Sequence, residues 1–122
     1  MLNFNSILLF SEKPDSLAAF YGKLVDAEPV MQGGGYTTYL FGSGAITIGP
    51  HDKVHGKNET PERILINFET KDVEGEFERI KGIGAHVIKE PYNPAEEGDM
   101  KIATFADPDG NYIQLVSPWN NE

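Results

Sequence analysis

Phe105-Ala-Asp-Pro-Asp-Gly-Asn-Tyr-Ile-Gln-Leu115 is the stretch whose reading decides the fold. Its middle, Asp107-Pro108-Asp109-Gly110, is turn chemistry. Proline presets φ, aspartate oxygens bond the backbone just ahead, and glycine takes the left-handed position. After the turn, Tyr112 to Val116 alternates, so Ile113 and Leu115 share one face while Tyr112, Gln114 and Val116 share the other. Lys101 to Phe105 supplies the strand before the turn, and the whole reads as a β-hairpin.

Working back from the hairpin, Arg63 to Phe68 is a mostly apolar strand. Asp72 is the expected N-cap of a helix carrying Val73, Phe77 and Ile80 on one face, closed by Gly82 and Gly84. His86 to Ile88 reads as a short strand and Pro91 to Asp99 as an acidic loop. The first half repeats the order. Phe4 to Phe10 is a strand. Pro14 suits the first turn of a helix, with Asp15 and Ser16 near its positive end, and Leu17, Phe20, Tyr21 and Leu24 form its apolar stripe. Val30-Met31 has no clear type and runs into Gly33-Gly34-Gly35, read as a flexible loop at the mouth of a cleft. Tyr36 to Phe41 and Ala45 to Ile48 read as a hairpin across Gly42-Ser43-Gly44.

Ser6 lines up with Leu65 and Tyr21 with Ile80 at one constant offset, which makes the chain a tandem of similar units. The expected fold class is α+β: one domain over residues 1–122, made of two βαβββ modules (1–50 and 62–122) joined by the polar connector 51–61. Their strands would form a partly open curved sheet, with the helices on its outer face and the inner face left as a cleft.

Composition narrows the function classes. At 122 residues the chain is long enough for a core without staples, and the absence of cysteine removes disulfides, thiolate nucleophiles and Cys-type zinc sites. Nineteen acidic residues against ten basic ones, a net charge of −9, disfavour nucleic acid and anionic membranes. The same charge favours approach of a cation or simply confers solubility. No apolar run approaches the ~20 residues of a membrane span. The first residues lack the basic region and cleavage site of a secretory signal, so a cytoplasmic location is expected.

The hairpin, together with Ser16-Leu-Ala-Ala-Phe-Tyr21, resembles the vicinal oxygen chelate superfamily, which includes glyoxalase I, bleomycin resistance proteins, extradiol dioxygenases and fosfomycin resistance proteins. The resemblance covers essentially the whole chain. It implies a divalent-metal site built from His or Glu on the first and last strands of each module. Those positions fall on Ser6, Leu65 and Gln114, and in the first module near Ile46 or Ile48. None is a good ligand for a divalent transition ion, and a shift of one residue in either direction brings in no His, Asp or Glu. No metal and no cofactor are therefore expected. The resemblance also implies a homodimer, since members of this length usually pair.

Strand parity nominates Ser6, Leu8, Phe10, Arg63, Leu65, Asn67, Glu69, Tyr112, Gln114 and Val116 as lining of the cleft. Trp119 is a further ligand-binding candidate just beyond the last strand. His51 and His55 fall in a loop and read as solvated, and His86 as a partly exposed strand residue. The facing of Tyr36 and Tyr39 is open. Two functions follow. The first is a metal-independent protein of the glyoxalase/bleomycin resistance type, binding a small amphipathic or cationic compound. The second is a lyase, isomerase or dioxygenase-like enzyme with a non-standard site, its acid–base work resting on Glu69 with Tyr112.

Overall fold

Period-2 and period-3.6 patterns resolve into eight strands and two helices in the computed structural model, which describes residues 1–95 and 97–118. The order is β1 (Ser6–Phe10), α1 (Pro14–Val25), β2 (Met31–Gly33), β3 (Tyr36–Phe41), β4 (Gly44–Gly49), β5 (Leu65–Glu69), α2 (Val73–Gly82), β6 (His86–Tyr92), β7 (Ile102–Ala106) and β8 (Tyr112–Val116). Two units divide it, Met1–Lys57 and Asn58–Glu122. Each is a βαβββ module with its own four-stranded mixed sheet, in the orders β1-β4-β3-β2 and β5-β8-β7-β6. The fold is α+β.

In the first unit β1 pairs parallel with β4, and the other pairs are antiparallel. The α1 stripe Leu17, Phe20, Tyr21 and Leu24 is buried with Tyr39, Ile46 and Ile48 of the sheet. Tyr21 meets Phe41 edge-on, with ring centroids 6.5 Å apart. Pro14 opens the helix, but Lys13 at its N-cap gives no side-chain bond. Instead Ser11 Oγ accepts the Lys13 N–H at 2.9 Å. The helix ends on Asp26 in the left-handed region (φ 56°), its N–H donating to the Gly22 carbonyl at 2.9 Å.

In the second unit Asp72 caps α2 as expected, Oδ1 accepting the Gly75 N–H at 3.0 Å. A Cβ on Gly75 would lie 2.1 Å from Asp72 Oδ2, so a side chain at that position would push the capping carboxylate aside. Val73, Phe77 and Ile80 are buried against β7 and β8, with Phe77 stacked on Phe105 at 5.1 Å. The Asp107 carboxylate organises the β7–β8 turn. Its Oδ1 accepts the N–H groups of Asp109 and Asn111, both at 2.9 Å, and Oδ2 accepts from the Asn111 side chain at 2.9 Å. Only 4% of Asp107 is exposed, and these donors offset the cost of burying the carboxylate. Asn58 fastens the end of the connector to the same turn, donating from Nδ2 to Asn111 Oδ1 at 3.0 Å and from its N–H to the Asp109 carbonyl at 2.8 Å.

Four sequence expectations change. Residues Met31–Gly33 form a strand, and Gly34 and Gly35, with φ of 62° and 88°, make a two-residue hairpin turn in place of a loop. Pro61–Arg63 is a single 3-10 turn, so β5 begins at Leu65 and Arg63 lies outside the strand. Strand β6 continues to Tyr92 through two register shifts, which accommodate Pro91. Ile46 and Ile48 point to the helix side, the opposite face from the one expected of them. No helix among the described residues is long and apolar enough to cross a membrane.

Candidate functional site

Residues directly opposite one another in a sheet share a face, so register sorts each unit into a helix side and an open side. The open side of the second unit presents three rows across β5, β8, β7 and β6. The first is Leu65, Tyr112, Ala106 and His86. The second is Asn67, Gln114, Thr104 and Lys89, and the third is Glu69, Val116, Ile102 and Tyr92. The middle row is polar throughout: two amides, a hydroxyl and an ammonium group. Lys89 Nζ also lies 5.0 Å from the centre of the Tyr92 ring, a cation–π distance. Thr104 is buried, Gln114 half-buried and Asn67 exposed, so the row passes from the sheet's interior to solvent.

The open side of the first unit is more apolar. Ser6 lies opposite Ala45, and Ala45 opposite Leu40. Leu8 lies opposite Thr47, followed by Thr38 and Met31. The hydroxyls of Thr38 and Thr47 are 2.8 Å apart and bond to each other. Phe10 lies opposite Gly49, and the Tyr36 ring covers that glycine so closely that a Cβ there would fall 2.3 Å from it. His51 adds an edge contact to Phe10 at 5.1 Å. Leu8, Leu40 and Met31 all remain exposed.

The expected site residues are thus distributed as follows. Leu65, Asn67, Glu69, Tyr112, Gln114 and Val116 share one open face, and Ser6, Leu8 and Phe10 share the other. Arg63, on its 3-10 turn, is not part of the Glu69 face. Trp119 lies outside the described residues. Tyr36 joins the open side and Tyr39 the helix side. Strand parity overlooked Thr104, Lys89 and Tyr92. Thr104 was legible from the β7–β8 hairpin, two residues before Ala106, whereas the bulges of β6 hide the other two.

Two consequences bear on chemistry. Glu69 lies opposite Val116, and Tyr112 starts that same strand, which separates the two side chains by roughly 13 Å along the sheet. They are too far apart to share a proton, so the expected acid–base pair does not form. The structural equivalent of Gln114 in the first unit is Thr47, since Leu8 opposes Thr47 as Asn67 opposes Gln114. The open-face counterparts of a metal set are then Ser6 with Thr47 and Leu65 with Gln114, a hydroxyl, amide and alkyl collection poorly suited to a divalent transition ion.

The histidines occupy other places. His55 Nδ1 is 3.4 Å from Glu12 Oε2, while Glu12 Oε1 accepts the Gly56 N–H at 3.1 Å. That backbone bond and then the histidine hold the Glu12 carboxyl below its ordinary value. His51 Nδ1 accepts the Lys53 N–H at 3.1 Å. Among the described residues no three His, Cys, Asp or Glu side chains cluster as a metal site would require.

Paired βαβββ modules closed by an Asp-Pro-Asp-Gly hairpin define a protein of the vicinal oxygen chelate type. The glyoxalase-like domain model matches residues 6–116, and the chain belongs to that family. Its fold is similar to a glyoxalase-related enzyme from Fulvimarina pelagi (TM-score 0.76, 16% identity, 97% of this chain and 89% of that one). It is also similar to a glyoxalase/bleomycin resistance protein/dioxygenase family enzyme from Burkholderia phytofirmans PsJN (0.75, 18%, 95% and 98%). A third similar structure is the genomically encoded fosfomycin resistance protein of Listeria monocytogenes (0.67, 19%, 97% and 93%). No curated protein matches the chain.

The metal on which the superfamily's chemistry turns does not fit the residues present. Four equivalent positions offer Ser6, Thr47, Leu65 and Gln114. Leucine contributes no donor, and neutral hydroxyl and amide oxygens suit hard ions held mainly by water.

Proposed function

We propose that this chain is a metal-independent binding protein for a small amphipathic organic compound. The observation that carries the reading is the middle row of the second unit, Asn67, Gln114, Thr104 and Lys89, between rows holding Leu65 and Tyr112 on one side and Val116 and Ile102 on the other. Amides supply donors and acceptors in fixed positions, and the half-buried Leu65 and Tyr112 supply affinity at about 25 cal/mol per Å² buried, before association costs, while Val116 and Ile102 are already buried and only back the row. The exposed Leu8 and Leu40 give the open face of the first unit apolar surface of its own. The net charge of −9 adds attraction for ligands carrying positive charge. Open sheet edges favour pairing of chains, and the protein acts as a homodimer in the cytoplasm.

The test is calorimetric titration with nickel, zinc and manganese, followed by a thermal-shift screen of amphipathic compounds. The expected result is no stoichiometric metal binding, a screen hit that returns chemically unchanged, and about tenfold weaker binding of that hit to Gln114→Ala. Stoichiometric metal at high affinity, or turnover of the hit, would overturn the reading.

A further inference from the structure

All four side chains of the second unit's middle row, Asn67, Gln114, Thr104 and Lys89, can donate hydrogen bonds, and only Lys89 carries a charge. We propose that the compound bound on this open face is an amphipathic monocarboxylate. Its carboxylate sits against the Lys89 ammonium, the Thr104 hydroxyl and the Gln114 amide, and its apolar part lies over Tyr112 and Leu65. The inference rests on the open-face reading and fixes the chemistry of the ligand's head.

The donors of the row are uncommitted. In the first unit the equivalent pair, Thr38 and Thr47, bond to each other at 2.8 Å. In the second, Thr104 and Gln114 hold those positions, and no side chain of the row is hydrogen-bonded among the described residues. Solvent reaches them, since no buried side-chain polar atom is left without a partner. A ligand can therefore take up these donors by displacing water.

The ammonium is also held in place without being neutralised. Arg79 and Lys101 of the same unit are engaged in ion pairs, whereas Lys89 meets no carboxylate among the described residues. Its neighbour is the Tyr92 ring, 5.0 Å from Nζ, which restrains the charge on the open side and leaves its N–H donors free. Glu69, the one carboxylate of the three rows, lies on β5 at the opposite edge, three strand spacings or roughly 14 Å across the sheet. Donors around a lone cation suit an acceptor-rich anion. A chain of net charge −9 repels a dianion such as a phosphate monoester more than a monoanion, which favours a single carboxylate. A positive group elsewhere on the ligand would still gain from that net charge. Tyr112, two residues along β8 from Gln114, and Leu65 opposite it are half-buried, so their open surface is there to meet an alkyl or aryl tail.

The full chain, labelled with nitrogen-15, is titrated at constant ionic strength with sodium hexanoate, n-hexylammonium chloride and n-hexanol. Shifts are expected at the amides of Lys89, Thr104 and Gln114, with hexanoate binding about tenfold more tightly than hexanol. Lys89→Met keeps an unbranched stem and removes the charge. It should bring hexanoate down to the level of hexanol and leave hexanol unchanged, while Lys89→Arg keeps the preference. Hexylammonium or hexanol binding the row as tightly as hexanoate would overturn the inference, as would wild-type hexanoate binding by Lys89→Met. Both results leave the open face a binding surface, so they are distinct from failure of that reading, which stoichiometric metal uptake would mark. Absence of any shift in the row with hexanoate at tens of millimolar also overturns the carboxylate assignment.

Discussion

The two modules share one topology but spend their residues differently. The second has a stacked Phe77–Phe105 core, a side-chain cap on its helix and a polar row on its open face. The first has an edge-on Tyr21–Phe41 contact, a helix started by proline without a side-chain cap, and an open face of leucine, methionine and threonine. The difference teaches that the repeated fold requires only the helix-side stripe. Caps and open faces are free to diverge, and the proposed binding row lies in the divergent part.

The sharpest way to break that comparison is through the cores. Phe105→Ala should cost about 3–5 kcal/mol, measured by urea denaturation, because Phe105 is fully buried. Phe41→Ala should cost less, since Phe41 is only half-buried. Equal losses would mean that the two stripes are equivalent after all.

The caps come next. Asp72→Ala should lower stability by about 1 kcal/mol, and Gly75→Ala should approach that loss by displacing the Asp72 carboxylate. Lys13→Ala should change little, and a loss at Lys13 equal to that at Asp72 would erase the contrast between the helix starts.

Two titrations probe smaller effects. Tyr39 is raised in the folded state, so the stability it contributes is complete below its ordinary value of 10.0 and is lost as pH rises through the higher folded value. Tyr39→Phe should remove that alkaline decline, read as Tm against pH. Glu12 is lowered, so its contribution is complete above the ordinary 4.5 and is lost as pH falls through the lower folded value. Glu12→Gln should flatten that acid limb, a slight change because the group is exposed. Unchanged limbs in either variant would assign the pH dependence to other groups.

Much of the fold was legible because the informative positions obey local rules. Leu17, Phe20, Tyr21 and Leu24 mark a helix by spacing, Asp72 marks a cap, and Asp107 to Gly110 mark a turn without reference to the rest of the chain. Strand β2 was not legible, since its residues are all exposed and carry no burial alternation. The extent of β6 was hidden because bulges break period two and Pro91 argues against a strand. Arg63 was misplaced because a 3-10 turn of Pro61–Arg63 resembles the start of the apolar run that follows.

Parity within a strand sorted Asn67 with Glu69 and Tyr112 with Gln114, as the register has them. What single-strand parity lacks is the register between strands. That is why Ile46 and Ile48 were assigned to the wrong face and why Glu69 and Tyr112 were paired across a distance they cannot bridge.

The irregular β6 has a consequence for behaviour in concentrated solution. It is an edge strand, and its two register shifts, its proline and the run Lys89-Glu90 leave no continuous ladder of donors and acceptors for a foreign strand to extend. Edge-to-edge growth into fibrils is therefore blunted on that side, and the protection survives changes of salt, because it is built into the backbone and not only into its charges.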